Sequence, residues 1–297
     1  MTSMYSQVRA FPIVSVSVAW LWLAVSPGLA QETLDVMTFN IRTSNGRDGA
    51  NAWPHRKDVV VQAIARYSPQ IVGLQEVLDE QAEYLDLRLR DYRWLGMDRG
   101  LNGGVGLSEY TPIFYRHDEV SPIESGNFWL TSTPDTPPPV RDSRWGRRRW
   151  GRIVTWARFH HRATGRQFYV FNTHFTLRQG PSQYQSARLL AERVAALPKG
   201  SPVVVTGDFN ASAEFTKTWR LATARGLEDA WVVAGERRGP PFTANGFGPP
   251  PSDEVWRIDW ILVGGPVAVR SVETVLFNDG GRYPSDHYPV VASLELQ

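Results

Sequence analysis

The stretch PVVVTGDFN, residues 202–210, constrains this chain more than any other. Three consecutive valines make a run that only a buried strand accommodates well, because β-branched side chains fit a pleated, packed surface. The run ends at Gly207, and Asp208 and Asn210 follow at once. An apolar strand closing on an acid and an amide is how a rigid sheet presents reactive groups at its rim. Asp and Asn also end strands in ordinary turns. The tetrapeptide alone does not choose between the two, so the rest of the chain has to decide.

The same pattern recurs. Residues 34–41 alternate in strand fashion and end in Asn40 and Arg42, with a Gly/Asn/Asp-rich loop behind them. Pro54 suits a first helical position, and Val60, Ala63, Ile64 and Tyr67 keep a helical spacing until Pro69. Residues 71–74 form a short apolar strand running into Gln75-Glu76, and a second helix carries Leu78, Ala82, Leu85 and Leu89 on one stripe. Strands are expected at 93–97 and 111–116 around the glycine-rich turn at Gly103, Gly104 and Gly106. A hairpin is expected at 153–159 and 167–172, closing on Thr173-His174. Pro181 opens a helix, a short helix lies near 216–224, a Pro/Gly loop spans 235–252, and strands follow at 258–263, 267–277 and 288–296. No internal repeat or long linker divides the chain. Strands mixed with a few amphipathic helices predict an α/β (α+β) fold: a four-layer sandwich of two packed mixed β-sheets flanked by helices.

Composition narrows the chemistry. With no cysteine, the chain has no disulfide, thiolate metal site or Cys nucleophile. The net charge of +2 argues neither for nor against a polyanionic partner. Residues 1–30 read as a cleaved export signal: Arg9 is the only charge, residues 11–25 are apolar, and Gly28-Leu29-Ala30 is a small-x-small cleavage site. Residues 31–297 are then the mature domain, and a periplasmic or secreted location is expected.

Six strand ends or adjoining loops carry polar groups: Asn40, Glu76, His174, Asp208 with Asn210, Asp259, and Asp286-His287. Oxygen ligands with few carboxylates suit Mg²⁺, Mn²⁺ or Ca²⁺, and histidine serves phosphate binding or proton relay. Each has a plainer alternative. Glu76 can cap the following helix, His174 can be a satisfied core histidine, Asp259 can pair with Arg257, and Asp286-His287 can be an ordinary turn. All of these holding at once is the weaker account.

The ordered set Phe39-Asn40, Gln75-Glu76, Phe114-Tyr115-Arg116, Asn172-Thr173-His174, Gly207-Asp208-Phe209-Asn210, Arg257-Ile258-Asp259 and Ser285-Asp286-His287 resembles the endonuclease/exonuclease/phosphatase superfamily. The match covers essentially the whole chain beyond residue 30. The resemblance implies a metal-dependent phosphoesterase with the sandwich fold above. It makes Glu76 the main metal carboxylate, with Asn40 nearby and Asp286 assisting. Asp208 deprotonates the attacking water and Asn210 helps hold it. His174 and His287 bind phosphate oxygens, Asp259 orients His287, and Tyr115 lies against the phosphate. Arg42 stands where several relatives carry an acid, and is expected to contact substrate.

The segment 141–152 alternates Arg with Trp and ends in Arg152, a second candidate substrate contact. Such a run grips phosphates and stacks bases, lies on an anionic membrane surface, or forms a solvated loop. The reading is a secreted, monomeric, Mg²⁺-, Mn²⁺- or Ca²⁺-dependent enzyme that hydrolyses a phosphodiester by in-line water attack. Nucleic acid is an admissible substrate. A membrane surface is disfavoured, because the loops at 131–140 and 240–251 lack a run of bulky apolar residues. The alternatives are a phosphomonoesterase acting on sugar or inositol phosphates and a silent binding protein on the same fold.

Overall fold

The computed structural model describes residues 33–99, 109–136, 151–251 and 255–297. The proposed leader, the glycine turn at 103–106 and the Arg/Trp run as far as Trp150 lie outside the described residues. The first half holds β1 (Leu34–Asn40), α1 (Trp53–Tyr67), β2 (Ile71–Gln75), α2 (Asp79–Arg88), β3 (Tyr92–Leu95), β4 (Ile113–Arg116) and β5 (Val120–Trp129). Then come β6 (Ile153–His161), β7 (Gln167–His174), α3 (Pro181–Ala195), β8 (Val203–Asp208), α4 (Lys217–Ala222) and β9 (Leu227–Asp229). The last are α5 (Ala230–Val233), β10 (Glu236–Arg238), β11 (Asp259–Gly264), β12 (Val267–Thr274) and β13 (Val290–Leu296).

The strands form two mixed sheets, ordered β10-β12-β13-β1-β2-β4-β3 and β5-β6-β7-β8-β11-β9. Three apolar clusters explain why they stack. Val36, Ile71, Phe159, Val170, Val204 and Ile261 fill the space between the sheets. Met37, Phe39, Val72 and Leu74 turn outward beneath Val60, Ile64 and Leu85 of α1 and α2. Val203, Val205 and Leu262 turn outward beneath Ala187 and Leu190 of α3. The valine run of β8 therefore serves two interfaces at once, because successive strand side chains point to opposite faces. This is the expected four-layer sandwich.

The elements expected from the sequence are present, with ends shifted by a few residues. Four strands and α-helices were not anticipated, β5, β9, α5 and β10, nor was a 3-10 turn at Gly49–Asn51. β5 is an edge strand, exposed from Ile123 to Ser125 and irregular in register between Pro122 and Glu124, so it shows no clean alternation.

Period-two spacing also sets the depth of each inward side chain. Thr38 pairs with Gly73 and Asn40 with Gln75 across β1 and β2. Asn172 pairs with Thr206 and His174 with Asp208 across β7 and β8. Apolar residues thus lie deepest. Thr38, Gln75, Asn172 and Thr206 form a hydrogen-bonded floor, in which Gln75 Nε2 donates to Asn172 Oδ1 at 2.8 Å and Thr206 Oγ1 to the same oxygen at 3.1 Å. Asn40, His174, Asp208 and Asp259 stand above that floor at one end of the sandwich.

Candidate active site

The strand ends converge through short polar contacts. Asn40 Nδ2 donates to Asp208 Oδ2 at 2.9 Å and to Glu76 Oε1 at 3.3 Å, joining a carboxylate from each sheet. His174 Nε2 lies 3.4 Å from Asp208 Oδ2. His287 Nδ1 donates to Asp259 Oδ2 at 2.9 Å. Asp208 Oδ1 accepts the Asn210 N–H at 2.9 Å, and Ser285 Oγ donates to the Asn40 carbonyl at 2.7 Å.

The backbone is bent to suit. Arg42, Glu76 and Asn210 adopt left-handed φ values of 56°, 60° and 50°, each just beyond the end of β1, β2 or β8. Only glycine and, less readily, asparagine reach this region without strain, and such strain concentrates at functional sites. At Glu76 the turn brings Oε2 within 3.1 Å of the Thr43 N–H.

The plainer readings of these residues fail one by one. Glu76 does not cap α2; Leu78 N–H donates instead to Gln81 Oε1 at 3.1 Å. Arg257 pairs with Asp229 at 2.9 Å, leaving Asp259 to His287. His174 is buried, yet its Nδ1 has no hydrogen-bond partner. Asp286-His287 is stitched to other strands by the contacts above, and Asp286 Oδ2 lies 3.7 Å from Arg42 Nε.

Electrostatics divide the groups. Burial, and then the neighbouring Asp259 charge, pushes Asp208 up to about 7. Burial also acts on His287, but Asp259, Asp208 and Asp286 outweigh it and hold the ring well above its ordinary value. Burial followed by Arg152 and Arg99 holds His174 well below its ordinary value, so it is neutral. Burial works against ionised Glu76, but the Thr43 N–H, His287, Asn40 and Arg42 bring it below the usual carboxylate range.

One expectation needs correction. Tyr115 is not at the site. It pairs with Ile71 at the start of β2, at the far end from Gln75, and packs against Phe159 in the core between the sheets. Asn40 Oδ1 accepts the Arg42 N–H at 2.9 Å, and its amide nitrogen faces the carboxylates. The Arg42 side chain reaches the site, where Asp48 pairs with it at 3.0 Å.

Glu109 was missed in the sequence. It receives Arg99 at 2.6 Å and stands 3.9 Å from Arg152 Nη1 and 4.0 Å from His174 Nδ1. Glu109 Oε2, Arg152 Nη1 and His174 Nδ1 are buried without a hydrogen-bond partner. The bridges of Tyr110 to Val77 and Asp98 bring Glu109 here, and no local pattern signals it.

The donor set fits a hard divalent cation. Glu76 and Asp286 offer carboxylate oxygens, and buried Asp259 Oδ1 has no partner. Ligand atoms of Asp208, Asp259 and His287 lie within 4.8 Å of one another. Within that trio His287 Nδ1 is already spent on Asp259. Glu76 with Asp286 is the better oxygen-only pair.

A family model described as the Endonuclease/Exonuclease/phosphatase family matches residues 37–287. An endonuclease/exonuclease/phosphatase structure from Bacteroides vulgatus superposes with a TM-score of 0.80 at 34% identity, covering 90% of this chain and 100% of that one. A mannosyl-6-phosphatase of Bacteroides thetaiotaomicron superposes with a TM-score of 0.78 at 30% identity, covering 88% of this chain and 99% of that one. The uncharacterized protein YbhP of Escherichia coli K12 is 34% identical over 139 residues, 45% of this chain. This chain spans about half, 48%, of that curated relative.

Proposed function

The chain belongs to the endonuclease/exonuclease/phosphatase family, and on that premise we propose that it is a divalent-cation-dependent phosphatase acting on a phosphomonoester of a small sugar or polyol. The observation that carries phosphoester hydrolysis is the Asn40 bridge, 2.9 Å to Asp208 and 3.3 Å to Glu76. It sets a water-activating carboxylate from one sheet beside a cation-holding carboxylate from the other.

In this reading Asp208 accepts the proton of the attacking water, a task suited to a carboxyl poised near the working pH. Asn210 is fixed by its own N–H on Asp208 and by Nδ2 on the Phe175 carbonyl at 3.1 Å, and it orients that water. Protonated His287, steadied by Asp259, donates to a phosphate oxygen. Neutral His174 donates to another. Glu76 and Asp286 would hold the divalent cation, which supplies charge neutralisation on the phosphate oxygens. Arg152, buried with its Nη1 lacking a hydrogen-bond partner, adds fixed positive charge on the His174 side.

Two observations favour a monoester over the diester first expected from the sequence. One is the mannosyl-6-phosphatase relative, which aligns over nearly its whole length. The other is the buried guanidinium of Arg152, which suits a compact, doubly charged phosphate. The Arg/Trp run at 141–152 favours the second reading, a phosphodiesterase with an extended substrate.

The test is hydrolysis of mannose 6-phosphate and p-nitrophenyl phosphate beside bis-(p-nitrophenyl) phosphate, with Mg²⁺, Mn²⁺, Ca²⁺ or a chelator. Faster, chelator-sensitive turnover of the monoesters is expected. Turnover of the diester alone would overturn the monoester reading, and chelator-resistant turnover would remove the cation.

A further inference from the structure

Arg56 lies in the first turns of α1 and is fully buried. Among the described residues no carboxylate pairs with it. Its guanidinium instead donates to four backbone carbonyls: Asn51 at 2.9 Å, Ile41 at 2.5 Å, Arg42 at 2.6 Å and Pro284 at 2.9 Å. The rings of Trp53 and Phe247 lie 5.3 and 5.7 Å from its central carbon. Burying a cation without a counter-charge is costly, and an apolar side chain would fill a merely structural position at less expense.

What the four carbonyls have in common is the site. Ile41 and Arg42 follow Asn40 directly, and Pro284 precedes Ser285, Asp286 and His287. The Arg42 carbonyl is directed by a left-handed φ of 56° and is shared with Gln81 Nε2 at 3.0 Å. The next residue, Thr43, gives its N–H to Glu76 Oε2. Phe247 belongs to the loop whose Gly246 N–H bonds the Asp286 carbonyl at 3.0 Å. One planar group therefore touches the loops that carry Asn40, steady Glu76 and present Asp286 and His287.

We propose that Arg56 is a positioning residue that sets the separation of Glu76 from Asp286 by clamping the 41–42 and 284 carbonyls, and so tunes the site for a divalent cation. The inference rests on the phosphoesterase reading. An arginine is required because its planar fork bonds several acceptors at once, which a lysine ammonium cannot match at this spacing.

The test uses the full chain with Mn²⁺ as the probe, its binding read by electron paramagnetic resonance of the free ion, together with thermal unfolding. Arg56→Lys keeps the charge and most of the volume. It should unfold cooperatively yet bind Mn²⁺ about ten- to a hundred-fold more weakly, the range seen when outer partners of metal ligands are lost. Turnover of p-nitrophenyl phosphate should lose kcat more than it raises KM. In Arg56→Ala, added guanidinium ion should restore part of the Mn²⁺ affinity; if that variant does not fold, Arg56→Lys decides alone. Mn²⁺ affinity in Arg56→Lys equal to that of the unsubstituted protein overturns this inference by itself. Absence of Mn²⁺ binding by the unsubstituted protein overturns it together with the reading beneath it.

Discussion

Asp208 and Asp259 face each other directly across the antiparallel pairing of β8 and β11, two buried carboxylates side by side. Like charges so placed resist simultaneous ionisation, and the strain falls on Asp208, while Asp259 keeps His287 as its cation.

Asp208→Asn should therefore separate function from stability. Loss of a general base costs roughly 10²–10⁴ in rate. The neutral amide relieves repulsion from Asp259, so the variant should melt at the same temperature as the native chain, or higher, at pH 8. Initial rates and thermal unfolding on the same preparation test this, and undiminished turnover would remove Asp208 from the chemistry.

The pH dependence of kcat/KM should carry the same signature. Water activation needs the ionised form of a carboxyl pushed up to about 7. The rate should rise with pH through that region, with the midpoint displaced downward when a divalent cation stabilises the carboxylate. Asp208→Asn should flatten that limb, as measured by pH–rate profiles of both proteins.

Glu76→Gln keeps shape and removes charge at the carboxylate assigned to the cation. The Mg²⁺ or Mn²⁺ concentration giving half-maximal rate should rise, while the saturating rate falls less. A superimposable metal titration would show that the cation is held elsewhere.

His174 predicts an acid limb in stability. Its folded value lies well below 6.5, so on acidification the unfolded chain takes up a proton that buried His174 refuses. This removes about 1.4 kcal/mol per pH unit below the unfolded value, until the folded value is reached. In His174→Gln that contribution is absent. Denaturant unfolding at stepped pH should show the variant gaining on the native chain from about pH 6.5 downward, whereas parallel curves would mean that His174 titrates normally.

Gly73 is closed over by the opposite sheet. An added Cβ would meet Asn172 Oδ1 at 2.7 Å and Thr206 Oγ1 closer still. Gly73→Ala should cost about 1–3 kcal/mol by overpacking, read from denaturant midpoints.

Much of this was legible in the chain because alternation is local. Val203, Val204 and Val205 announce β8, and Asp208 sits two positions beyond Thr206 on the same inward face. The acids, amides and histidines at strand ends fell where their strands pointed. Tyr115 failed by the same rule: its strand runs antiparallel to β2, so it pairs with Ile71, five residues back from Glu76. Glu109 and Arg56 were silent for another reason. Their partners are backbone carbonyls, or side chains far along the chain, and neither leaves a spacing to read. β5 lacked a signal because an edge strand with a solvated middle has no apolar alternation.

The floor beneath the site joins Gln75 of one sheet to Asn172 of the other by a hydrogen bond, and Asn172 Nδ2 returns to the Leu74 and Pro112 carbonyls at 2.7 and 2.9 Å. Apolar packing between two sheets tolerates small sliding, because dispersion has no preferred direction. Amide-to-amide bonds do not tolerate it. The floor thus works as a keyed joint: it locks the alignment of the two halves independently of anything above it. Loops that meet the substrate can lengthen, shorten or change composition while Glu76 and Asp208 keep their distance, so one chemistry can be carried to many phosphate esters without being rebuilt.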